Sequence, residues 1–128
     1  MKPDFSGEYV LDRQASRLSA SASGMTAATL LIEHREPVFR CSGRFVAGDA
    51  TPNEFMFEIR SKWDGDVLVF EMFIDAHGPA FTMTWRYELL DGGLRLRATE
   101  QIRGGGRDQD NVWEFTRAVS AAITSSTS

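Results

Sequence analysis

Phe81-Thr82-Met83-Thr84-Trp85-Arg86-Tyr87-Glu88-Leu89 alternates without a break, apolar residues at odd positions and polar ones at even positions. Successive side chains of a β-strand point to opposite faces, so the run predicts a strand with one face on a core and the other in water. The neighbouring runs carry the same period. On one side, Leu68, Phe70, Met72 and Ile74 share a face; on the other, Leu94, Leu96, Ala98, Glu100 and Ile102 do, opposite Arg95, Arg97, Thr99, Gln101 and Arg103. Asp64-Gly65, residues 75–79 and Asp91-Gly92-Gly93 supply the turns between them, in residue types that favour tight reversals. The stretch from Trp63 to Ile102 is therefore an antiparallel meander with one acid, Glu100, in an otherwise apolar row.

Working outward, Phe5, Gly7, Tyr9 and Leu11 predict a first strand, and residues 29–35 a second with Leu30, Ile32 and His34 in phase, ended by Pro37. Residues 38–46 predict a third, with Phe39, Cys41, Gly43 and Phe45 on one face. Residues 54–62 predict a fourth, with Phe55, Phe57 and Ile59 inward and Met56 out of phase. Residues 108–116 form the last strand, with Gln109, Asn111, Trp113 and Phe115 in one row. The segment 13–23, rich in Ser and Ala, predicts a short helix or covering loop, with Asp12 as its cap. Eight strands joined by hairpins predict an all-β fold, an eight-stranded antiparallel up-and-down barrel. Its interior is of a size that side chains fill or one small ligand occupies. The domain spans residues 1–117, and residues 118–128 are expected to be a flexible tail.

Composition narrows the function. A formal charge of −4 argues against nucleic acid, and the short basic stripe of Arg95, Arg97 and Arg103 is expected to pair with Glu88 and Glu114 across strands. No apolar run approaches the roughly 18 residues that a membrane span needs. Cys41 is the one cysteine, which excludes an internal disulfide and favours a reducing, cytoplasmic setting. His34 and His77 do not combine with acids at zinc spacing. Asp108, Asp110 and Asn111 lack the glycine and closing glutamate of an EF-hand calcium loop. No metal and no cofactor is expected; His34 is the one residue a haem iron would find, and nothing else supports a haem.

Several stretches resemble the small bacterial lipocalin-like proteins, within the broader calycin-like group. They are Phe5-Ser6-Gly7-Glu8-Tyr9-Val10-Leu11-Asp12-Arg13 with Ser16 behind it, Lys62-Trp63-Asp64-Gly65-Asp66-Val67-Leu68-Val69, Trp85-Arg86-Tyr87-Glu88-Leu89 with Asp91-Gly92-Gly93-Leu94, and Val112-Trp113-Glu114-Phe115-Thr116-Arg117. Their order along the chain carries the resemblance. It implies a β-barrel that binds small apolar molecules, and an arginine, here Arg117, laid across the aromatic ring of the first strand, here Tyr9 where that group more often has Trp. It implies no shared catalytic motif.

The first functional expectation is a barrel that holds a small, mostly apolar organic molecule. Phe70, Met72, Met83, Trp85 and Trp113 would form its wall, and Tyr87, Glu100, Asn111 and His34 would orient the ligand. The alternative is a cofactor-free lyase, isomerase or cyclase in which Glu100 moves a proton, since burial raises a carboxyl pKa into a useful range. A second alternative is a filled barrel acting as an interaction module, monomer or homodimer, through Val67, Val69 and Phe73 on an outer face. Gln109 and Asn111, as inward amides, either bond each other and Glu100 or present donors to a ligand.

Overall fold

The alternating runs become strands because each offers one apolar row to bury and one polar row to hydrate. A computed structural model describes residues 2–19, 22, 24–48, 51–75, 78–106 and 108–118. The strands are β1 (Gly7–Leu11), β2 (Met25–Arg35), β3 (Val38–Ala47), β4 (Asn53–Arg60), β5 (Trp63–Asp64), β6 (Val67–Ile74), β7 (Phe81–Leu90), β8 (Arg95–Arg103) and β9 (Gln109–Arg117). All pairings are antiparallel. They make one sheet in the order β4-β3-β2-β1-β9-β8-β7-β6-β5. Each pair of sheet neighbours is consecutive in the chain except β1 and β9, whose pairing ties the first strand to the last and leaves β4 and β5 at the two edges.

The sheet curls into a half-barrel. Its hydrogen-bonded ladder does not close between β4 and β5 among the described residues. Side chains of the two flanks nevertheless meet on the inner face, where the Phe57 and Phe70 rings lie 5.1 Å apart. The expected barrel is thus met as an all-β antiparallel meander with nine strands among the described residues, not eight. The extra one is β5: the predicted fourth strand stops at Arg60, Ser61 N–H donates to the Pro37 carbonyl at 2.8 Å, and Trp63 then pairs with Leu68 around a two-residue turn.

Of the two forms expected for residues 13–23, the described residues take that of a covering segment, with no helix among them. Asp12 accepts from Ala15 N–H at 3.2 Å and caps a first turn, as expected, after which Arg17 pairs with Val112 of β9. This covering segment follows β9 because Asp12 and Arg17 N–H groups find the Glu114 and Val112 carbonyls, both at 2.8 Å. Leu94, expected in the inner row of β8, is exposed, because a 3-10 turn at Asp91–Gly93 carries it out of the strand. The expected tail beyond residue 118 and the turn histidine His77 lie outside the described residues.

Register decides which inner residues are neighbours. Phe70 faces Trp85, Trp85 faces Glu100, and Glu100 faces Asn111, so one row crosses β6, β7, β8 and β9. On the outer face Arg97 Nε donates to Glu114 Oε2 at 2.6 Å, Arg95 lies 3.7 Å from Glu114, and Arg103 lies 2.8 Å from Asp110. Arg95 and Arg97 thus meet Glu114 as expected, whereas Arg103 finds Asp110 in place of the expected glutamates. Met56 and Phe73 point outward and are exposed, Phe73 by 68%, while Val67 and Val69 are half-buried. Among the described residues no helix is long and apolar enough to cross a membrane.

Candidate functional site

The inner face has two ends of different character. At one end the core is solid: Phe5, Tyr9, Ile32, Phe39, Leu68 and Leu96 are fully buried. Phe39 is its hub, with ring contacts to Phe5 at 6.0 Å and Tyr87 at 5.7 Å in edge-on geometry, the arrangement aromatic quadrupoles prefer. Arg117 at the end of β9 lies over the Tyr9 ring, 5.2 Å from its centre, and donates to the Tyr9 hydroxyl at 2.6 Å. This is the contact the resemblance implied. Gly7 makes room for it: its φ is 145°, and a Cβ there would stand 3.3 Å from Arg117 Nε.

His34 belongs to this solid end. Phe5 N–H donates to its Nδ1 at 3.2 Å, which places the ring proton on Nε2, and Nε2 donates to Glu36 at 2.6 Å. Trp63 Nε1 donates to the other Glu36 oxygen at 3.0 Å. The Ser61 hydroxyl, His34 and Trp63 together hold the Glu36 carboxyl at about 2, well below the ordinary 4.5. Both ring nitrogens of His34 are therefore occupied within the protein. Cys41 is also buried here, and burial pushes its thiol up to about 12, so it stays a thiol and acts as a small core residue.

The other end holds a cavity of about 460 Å³. Met72, Met83, Trp85, Tyr87, Glu100 and Trp113, all expected there, line it. Of the other expected residues, Phe70 packs behind the wall against Phe57 and Trp85, and Asn111 is buried behind Glu100. The sequence reading named neither Met25 nor the β3–β4 aromatics as cavity residues, yet Met25, Phe45, Phe55 and Phe57 form the facing wall. The signal for them was Gly43. Its missing side chain leaves a gap in the inner row of β3, and the cross-strand Phe55 ring fills it so closely that a Cβ would overlap the ring.

Glu100 is 6% exposed and sits in this wall. Desolvation raises its pKa, and hydrogen bonds from Trp113 Nε1 at 3.1 Å and Asn111 Nδ2 at 3.0 Å hold the rise back. Among the described residues both bonds end on Oε1. Asn111 is itself fixed: its Nδ2 also reaches Gln109 Oε1 at 3.2 Å, and its Oδ1 accepts from Ser19 N–H at 2.6 Å. Ser19 Oγ adds a 2.6 Å bond to Gln109. The two inward amides thus bond each other, Glu100 and the covering segment, which arrives there because Arg17 has already joined β9. Tyr87, whose pKa burial also raises, is the second ionisable group in the wall.

The site can hold an apolar body against rings and thioethers and can offer it one preorganised carboxyl group. Among the described residues no group of three or more His, Cys, Asp or Glu side chains is placed to hold a metal ion. No protein-family model matches the chain, and no curated protein matches it either.

Proposed function

We propose that this protein binds a small, mostly apolar organic molecule in the cavity, with the ligand's polar group on Glu100. One observation carries the reading: a space of about 460 Å³, within the range of small-molecule pockets, is left on the inner face of a sheet whose other end is packed solid. Its wall is supplied by Trp85, Trp113, Met72 and Met83, residue types that give contact area and adaptability. Native mass spectrometry of freshly purified protein is expected to show a bound small molecule. Added apolar ligands are expected to raise the melting temperature, since a ligand at a hundredfold excess over its Kd adds about 2.7 kcal/mol to the folded state. A chain that carries nothing and gains no stability from a broad panel of such compounds is not a binder.

The raised pKa of Glu100 favours a second reading, a lyase, isomerase or cyclase in which this carboxyl shuttles a proton inside the cavity. Glu100→Gln would then abolish turnover of a ligand that it still binds. Unchanged turnover in that variant removes the carboxyl from any chemistry.

A further inference from the structure

Resting on that reading, we infer that the ligand is a hydrophobic amine, its ammonium seated on the Glu100 carboxylate and its apolar body against Trp85, Trp113 and the methionines. The described wall residues include an acid and a phenol but no lysine, arginine or histidine. A carboxylic acid entering this space would therefore find no cation to pair with, and ionising both carboxyls would set two negative charges side by side.

The hydrogen-bond inventory points the same way. Asn111 Nδ2 spends its donors on Glu100 and Gln109, its Oδ1 is taken by Ser19, and Trp113 Nε1 is spent on Glu100. The polar groups that fix Glu100 are thus not free to serve a ligand acceptor. Both of those donors approach Oε1, so neither occupies Oε2, which we assign to the ligand N–H. Trp85, the cross-strand partner of Glu100, and Trp113 both line the same space, and aromatic faces attract cations. Burial disfavours the charged form of Glu100, and an ammonium at Oε2 offsets part of that penalty, so the carboxylate and a cationic guest stabilise one another.

Three probes that share a naphthalene body separate the possibilities: naphthylethylamine, naphthylethanol and naphthylacetate, titrated calorimetrically into the whole protein near neutral pH. The amine is expected to bind about tenfold more tightly than the alcohol, a ratio typical of one charge-assisted hydrogen bond, and the carboxylate most weakly. In Glu100→Gln, which keeps an oxygen for Asn111 and Trp113, the preference for amine over alcohol should vanish. Should that variant not fold, the three probes on the unaltered protein decide by themselves. Equal affinity for amine and alcohol, or tightest binding of the carboxylate, overturns the amine inference and leaves the cavity reading standing. No binding by any of the three overturns both.

Discussion

At the solid end Phe5, Tyr9 and Phe39 are wholly buried, whereas at the cavity end Trp85, Trp113, Met72 and Met83 keep part of their surface free, although the same strands run through both. The alternation is identical, so the difference comes from what fills the space between the rows. At the solid end a segment from outside the meander plugs the core: Phe5 inserts ahead of β1, pinned by its N–H to His34 and by its carbonyl to the Tyr9 hydroxyl at 2.7 Å. The cavity has no such plug among the described residues; the covering segment reaches only the amides behind Glu100, through Ser19, and Met25 at the start of β2 lines the space.

Two glutamates make the same contrast. Glu36 lies at the edge of the solid end, where the Ser61 hydroxyl and the His34 and Trp63 N–H donors push its pKa down, the latter two bonding it at 2.6 and 3.0 Å. Glu100 lies in the cavity wall, where desolvation outweighs its two donors and pushes its pKa up. Residue type is constant. The balance between burial and hydrogen bonding is what changes sign.

The sharpest way to break the comparison is to truncate one side chain at each end. Phe39→Ala removes the hub of a close-packed core and is expected to cost about 3–5 kcal/mol in urea unfolding, the range for a buried phenylalanine. Met83→Ala enlarges a space that already exists around a half-buried side chain and is expected to cost about 1 kcal/mol. Equal losses would mean that the cavity is in fact packed. Next in size is Asn111→Ala, which strips Glu100 of one donor and leaves the Ser19 N–H without its acceptor. A loss of about 1–3 kcal/mol is expected, together with a further rise in the Glu100 pKa, read by following its carboxyl resonance through a pH titration. A Glu100 titration that does not move would show that Asn111 does not sustain the charged form.

The smallest effect is a pair of opposed pH dependences in the unfolding midpoint. Glu36 has a folded pKa of about 2 against an ordinary 4.5, so its contribution is complete above about pH 4.5 and is lost as the pH falls through about 2. Glu100 has a raised folded pKa, so its contribution is complete below about pH 4.5 and is lost as the pH rises through that folded value. Glu36→Gln should flatten the acid limb, and Glu100→Gln should flatten the decline above it. The same slope from both variants would contradict the opposite environments of the two carboxyls.

Much of this was legible in the chain. The rows of β6, β7 and β8, the hairpin at Asp64-Gly65 and the pairing of Arg97 with Glu114 follow from period and charge alone, because a two-residue repeat leaves each side chain only two faces to choose between. The misreadings share a cause. His34 continues the apolar row of β2, and only the approach of Phe5, 29 residues earlier in the chain, turns it into an internal anchor with both nitrogens occupied. Leu94 is in phase with β8, but phase says nothing of where a strand begins; Leu94 caps the Asp91–Gly93 turn, and β8 starts one position later than the pattern implies. The break at residues 61–62 and the short β5 depend on a backbone hydrogen bond to Pro37, which has no signature in the local residues.

The amino-acid sequence by itself determined that the chain is an antiparallel meander with one carboxyl in an apolar row, because alternation is a local property written residue by residue. Only the tertiary structure decided that one end of the curl is plugged and the other hollow, that Asn111 and Trp113 both hold the same oxygen of Glu100, and that His34 stands apart from the cavity. These depend on how far the sheet curls and on which distant segments fold across it, and such contacts are settled by volume and hydrogen-bond supply in three dimensions.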